Sequence, residues 1–250
     1  MKNHMISRGT FIVWFLIISF LLSNPTSALG GVGDFLKSIK QAVGLGEDLS
    51  ESKIIDGLKE ALKIGANNAV KMVSQVDGYN NNPKIKIPLP GAVRKVEKLL
   101  RVAGYGQHVD AFKLSMNRSA EEAAPEAGAL FGDAIKEMTI VDARKILNGK
   151  DNEATLYFQD KTQDRLYLIF KPIVHAAMSK VGVTRSYQEL DTKVRSLPFA
   201  DSLSFDLDHY VTDRALNGLF LMLAEEERKI RHDPAARVTD LLKKVFGSKH

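Results

Sequence analysis

No cysteine occurs anywhere in the 250 residues. That one absence excludes disulfides, thiolate zinc sites, iron–sulfur clusters, cysteine nucleophiles and a lipid-modified N-terminal cysteine. Tryptophan occurs once, at Trp14, and proline only 8 times. Excess charge of one sign is small: 35 Lys and Arg stand against 30 Asp and Glu, the balance is +5, and the two signs interleave. A nucleic acid is therefore not an expected partner. Missing too are a Gly-x-Ser-x-Gly elbow, a glycine-rich phosphate loop behind a strand, an HExxH pair, an EF-hand loop and any internal repeat. The local signals of triad hydrolases, nucleotide enzymes, zinc proteases and solenoids are thus lacking, and no cofactor is indicated. What is there is 44% hydrophobic content, enough to bury a core in one large domain.

The longest apolar run stands at the start. Lys2, His4 and Arg8 precede fourteen uncharged residues, Gly9 to Leu22, and Ser23-Asn24-Pro25 breaks the run. Fourteen is short of the roughly 20 that cross a bilayer. With Thr26-Ser27-Ala28 offering small residues to a signal peptidase, residues 1–28 read as a signal peptide cleaved after Ala28. The expected destination is the periplasm or the medium, with no stable membrane span after cleavage. Removal takes away Lys2 and Arg8 and no acid, so +5 becomes +3, and the only tryptophan leaves as well.

The remainder reads as an all-α chain. From 51 to 76 the residues Ile54, Ile55, Leu58, Ala61, Leu62, Gly65, Ala69, Met72 and Val73 recur at three and four, one face of a helix behind a Ser50 cap. Gly65 lies on that stripe, where a bare Cα admits a close neighbour. The same test predicts helices over 92–103, 107–123, 125–138, 140–147, 152–160, 163–181 behind a Thr162 cap, 185–197, 207–231 and 234–246, about ten in all. Thr139 and Asp142 have capping-box spacing, Asn148-Gly149 closes that helix, and Pro172 is expected to kink its own. Asp233 caps and Pro234 opens the last helix, which Gly247 stops. Only 85–89 and 203–207 alternate with period two, so at most a small two-stranded β-ribbon lies on the helices. The organisation expected is a signal peptide over 1–28, a separate helix or loose arm over 29–47, and one compact helical domain over 48–247.

Several segments carry a resemblance. Asn82-Pro83-Lys84-Ile85-Lys86-Ile87-Pro88-Leu89-Pro90, Val96-Glu97-Lys98-Leu99-Leu100-Arg101, Asn117-Arg118-Ser119-Ala120-Glu121, the run Asp208-His209-Tyr210-Val211-Thr212 through Phe220, and the tail from Ile230 to Gly247 are similar to a bacterial family of exported proteins, domain of unknown function 4197. The likeness spans about Leu49 to Gly247. It implies a helical fold in the bacterial envelope or the medium. The family has no assigned activity, so the resemblance implies no catalytic residue. Where family members often carry Ser-x-x-Glu at the first long helix, Lys53 stands in place of the Glu.

Candidate residues come from local pattern alone. Gly218 to Leu223 is apolar around the whole helix, and Glu226 follows Leu223 by three and precedes Ile230 by four, which puts a carboxylate on a buried stripe. It reads either as a structural ion pair with an arginine from another helix or as a general acid or ligand contact; Glu225 and Glu227 are expected in solvent. His209 and Asp213, with Asp206 and Asp208, form a weak metal-ligand pattern that helix capping explains equally. Arg118 reaches Glu121 and Glu122 at helical spacing, a surface ion pair, or else a polar pocket with Asn117 inward beside Leu114, joined by Asp164, Arg165 and Tyr167. His175 reads as a surface histidine. The candidate ligand contacts are then Asn117, Arg118, Glu121, Asp164, Arg165, Asp208, Tyr210 and Glu226. The expected function is a non-enzymatic binding module for a small apolar or amphipathic ligand or an envelope protein; the alternatives are a metal-independent hydrolase using Glu226 with an arginine, and a purely structural assembly factor.

Overall fold

A computed structural model describes residues 51–180, 192 and 206–233. The signal peptide expected over 1–28, the arm expected over 29–47, the expected Ser50 cap, the helices expected over 185–197 and 234–246, and residues 203–205 of the second alternating stretch lie outside the described residues. Seven α-helices occur among those described: α1 (Glu51–Ser74), α2 (Gly91–Leu100), α3 (Gly106–Ala123), α4 (Ala127–Glu137), α5 (Ile140–Asn148), α6 (Glu153–Lys180) and α7 (Leu207–His232). A π-helical turn, Arg101–Tyr105, joins α2 to α3, and a 3-10 turn, Ala124–Glu126, joins α3 to α4.

The three long helices α1, α6 and α7 and the shorter α3 make the core, α7 lying against α6, α1 and α3. Their inward faces follow the three-and-four spacing: Leu58, Ala61, Ala69 and Val73 of α1, Leu166, Phe170 and Val174 of α6, and Val211, Ala215 and Leu219 of α7 are at most 1% exposed. Phe131 of α4 packs on Phe158 and Phe220 with ring centroids 5.0 and 6.1 Å away. A Cβ on Gly65 would sit 3.3 Å from Ile230 Cδ1, so the bare Cα is what lets α1 and α7 approach there. Around α7 only Leu221, 43% exposed, departs from the apolar run's burial. Thr139 and Asp142 form the reciprocal capping box at the start of α5.

Two helix predictions are corrected. The expected helices over 152–160 and 163–181 are one, α6, because Thr162 does not cap: its hydroxyl donates to the Phe158 carbonyl at 2.7 Å, four residues back, and is satisfied inside the helix. Pro172 lies within α6 without ending it. No strand occurs among the described residues, which leave out 203–205. The period-two alternation over 85–89 is nonetheless real in burial: Ile85, Ile87 and Leu89 are at most 5% exposed, while Lys86 and Pro88 are half-buried. The segment is an extended strap. Its ladder partner is a side chain, Asn117, which donates to the Ile87 carbonyl at 3.1 Å and accepts from the Ile87 amide at 2.8 Å.

Candidate functional site

The polar cluster around Asn117 begins at the C-terminus of α1. The chain turns there with Asp77 at φ 69, a left-handed conformation, and three amides of the turn point to one acceptor. Glu121 of α3 supplies it: Oε1 accepts from Tyr79 and Asn80 at 3.0 and 3.2 Å, and Oε2 from Asp77 at 3.2 Å. Arg118 donates to Glu121 at 2.6 Å and to Asp77 at 2.8 Å, closing the ring. The hydrogen bond from Asn80, then Arg118, holds the Asp77 carboxyl below the usual aspartate range. Tyr79 is fully buried and donates to the Ala215 carbonyl at 2.7 Å; burial, then the Glu121 charge, pushes its hydroxyl pKa well up. Asn117, fully buried, faces inward, whereas Leu114 is 40% exposed. Tyr210 donates to Pro88 O at 3.0 Å. Asn117, Arg118, Glu121 and Tyr210 therefore grip the strap and the turn before it. Asp164 and Arg165 lie exposed on α6, and Glu122 is exposed on α3.

The carboxylates of α7 are spoken for in the same way. Glu226, 6% exposed, accepts from Asn68 of α1 at 3.1 Å and pairs with Lys229 at 2.5 Å, so its cation is a lysine of its own helix and not an arginine from another. Glu227 corrects the expectation of a solvated residue. It is 7% exposed and accepts from the amides of Ala154 and Thr155 and from the Thr155 hydroxyl, each at 2.9 Å. Those amides open α6 and have no acceptor within it, so Glu227 caps that helix from across the core. Arg231 completes the pair at 2.7 Å and donates to Ile146 O at 2.9 Å. Spacing held the signal, since Glu227 lies four after Leu223 and four before Arg231. Glu225 meets Lys84 instead.

A third cluster is open to solvent, between α6 and the start of α7. Tyr167, Lys171 and His175 recur every four residues on one face of α6. Opposite them, Asp206 caps α7 by accepting from the His209 amide at 2.9 Å and takes Lys171 at 3.2 Å. Those two contacts, in that order, hold the Asp206 carboxyl below its usual range. His175 pairs with Asp208 at 2.8 Å; His209 meets the Tyr167 hydroxyl at 2.7 Å through Nδ1 and Asp213 at 3.2 Å through Nε2. The carboxylates thus face different partners, and no three His, Asp or Glu side chains converge to hold a metal among the described residues. Between them runs a groove of about 380 Å³ lined by Tyr167, Leu168, Lys171, Pro172, His175 and Asp208, with Leu168 72% exposed. Tyr167, expected with Asn117, and His175, expected as a lone surface histidine, belong to this cluster together with Lys171, which the helical pattern had not marked.

Where α1, α6 and α7 meet, the space is much smaller. The cavity bounded by Leu58, Ala61, Phe158, Leu223, Ile230 and Arg231 measures about 20 Å³, room for a single water. No helix among the described residues is long and apolar enough to cross a membrane. A family model described as a protein of unknown function (DUF4197) matches residues 48–247. No curated protein and no solved structure matches the chain.

Proposed function

This chain belongs to the DUF4197 family, and from that premise we propose that it is an exported, non-enzymatic binding module that engages an envelope partner through its outer surface. The observation that carries the reading is the contrast in space: about 20 Å³ in the cavity where α1, α6 and α7 meet against about 380 Å³ in the open groove between α6 and α7. A drug-sized ligand needs roughly 300 Å³ or more. The buried carboxylates support the same reading. Glu121 and Glu227 accept from backbone amides, Glu121 meeting Arg118 within the ring that holds the turn, and Glu226 pairs with Lys229 and not with Arg118 or Arg165. The groove has the make-up of a partner site: an apolar floor of Leu168 and Pro172 rimmed by charged pairs that fix orientation.

The test joins two measurements on the chain recovered from the periplasm or medium of an expressing bacterium. Native mass spectrometry is expected to give the bare mass of a chain beginning at Leu29. A photo-crosslinking residue at position 168 is expected to give a discrete adduct in cells that the same residue at exposed Val76 does not. A small molecule retained in the native mass and lost on denaturation overturns the surface reading in favour of a carrier; an uncleaved chain overturns export.

A further inference from the structure

Away from the buried carboxylates and the groove, one stretch turns cationic and large apolar side chains outward together. α2 buries Val93 and Leu100 at 0 and 2% exposure. Around its other side stand Arg94, Lys95, Lys98 and, just past its end, Arg101, all exposed. Arg94, Lys95 and Lys98 have no carboxylate partner among the described residues, while Arg101 is clamped between Glu97 at 2.9 Å and Asp110 at 2.6 Å. Those two carboxylates, Asp110 first, push the Arg101 pKa further up, so it stays charged and fixed. The helix then runs into the π turn Arg101–Tyr105, which has no buried residue and reverses at Gly104 with φ 90. Here, where solvent favours polar side chains, Val102 is 80% and Leu99 48% exposed. An open groove of about 480 Å³ lies along Arg94, Glu97, Lys98, Arg101 and Val102.

We propose that α2 and its π turn form a docking surface for an anionic lipid leaflet. Val102 and Leu99 enter the boundary between headgroups and acyl chains, and Arg94, Lys95 and Lys98 pair with lipid phosphates around them. Two features select this occupant. The cations are complementary to an anionic plane, and the large apolar side chains of Leu99 and Val102 stand exposed beside them, which suits insertion into a fluid interface. Arg101, already bound on both sides, positions the turn. The surface lies on a membrane and does not span it. The inference rests on the reading of the chain as an envelope protein that works through its exterior, and it names the partner of a second face.

The experiment is co-sedimentation of the exported chain with vesicles of phosphatidylglycerol and phosphatidylcholine, against vesicles of phosphatidylcholine alone. Binding is expected to the anionic vesicles only, and to weaken as salt rises from about 0.05 to about 0.5 M. Lys95→Glu with Lys98→Glu, and separately Val102→Asp, are each expected to weaken it by about tenfold or more. All three positions are exposed, and unchanged thermal melting checks that the variants are folded. Val102→Trp adds a direct readout: its emission shifts to the blue on anionic vesicles once Trp14 has left with the leader. Equal binding to both vesicle types, no binding to either, or anionic binding that neither variant weakens overturns the proposal. The native mass of the same sample keeps the two readings apart, since a retained small molecule defeats the surface-module reading, whereas a bare mass without vesicle binding defeats only the lipid docking.

Discussion

Glu227 and Glu225 are two residues apart on α7 and illustrate how differently one side-chain type behaves on a helix. Glu227 is 7% exposed and holds a nearly buried Arg231 and the first amides of α6; Glu225 sits at the rim beside an exposed lysine. Removing the first leaves a buried guanidinium without its carboxylate, a loss of about 3 kcal/mol or more. Glu227→Ala is therefore expected to lower the urea midpoint strongly, while Glu225→Ala costs under about 1 kcal/mol. The glycines divide in a similar way. A Cβ on Gly218 would lie 2.7 Å from Tyr79 Cε1 and 3.1 Å from Ile85 Cβ, whereas one on Gly132 meets nothing within 4 Å. Gly218→Ala is expected to destabilise, and Gly132→Ala to stabilise by about 0.5–1 kcal/mol through helix propensity, both read from thermal melts. The spacing of Leu223, Glu226 and Ile230 marked Glu226 as facing the core, where it is buried. Glu227, four after Leu223 and four before Arg231, carried a spacing signal as well, but its acceptor role was not legible, because what draws that carboxylate inward is the start of a helix more than 70 residues earlier.

At the scale of elements, periodicity located most helices to within a few residues. The capping box of Thr139 and Asp142 was legible because its logic is confined to four residues. Thr162 misled for the opposite reason: a threonine that bonds its own helix four residues back has the same local sequence as one that starts a new helix. The strap over 85–89 was legible in its burial pattern and not in its pairing. Alternation reports which side faces the core, whereas the hydrogen-bond partner comes from α3 through Asn117. Replacing Asn117 by leucine leaves the Ile87 amide and carbonyl without a partner in the core, at about 2 kcal/mol. Hydrogen exchange at the Ile87 amide is expected to quicken in Asn117→Leu even where global stability permits the fold; unchanged protection would show the strap to be held by burial alone.

For the molecule as a whole, the mostly helical fold of the described residues followed from period, while the proposed surfaces did not. Exposure of Leu168 or Val102 depends on which neighbours fail to cover them, and a helical wheel carries no information about that. Acid response is a property of the whole set of charges. Asp142, through Thr139, Asp206, through the His209 amide, and Asp110, through Arg101, all have carboxyl pKa values held below the usual range. For each, the unfolded chain takes up the proton first as pH falls, so the contribution is complete above about pH 4 and is lost as pH drops through the lowered folded values. The melting temperature is expected to be level with respect to these groups between about pH 5 and 7 and to fall steeply below about 4; a melting temperature that rises on acidification below that point would contradict these assignments. The contact between Glu227 and the start of α6 also bears on timing. A ribosome delivers residues 154 and 155 long before residue 227, so α6 emerges with its opening amides unmatched and cannot settle into its final setting until nearly the last of the described helices has been made. Such a long-range closure ties the final packing of α6 to the completion of α7, a contact of high sequence separation that slows folding.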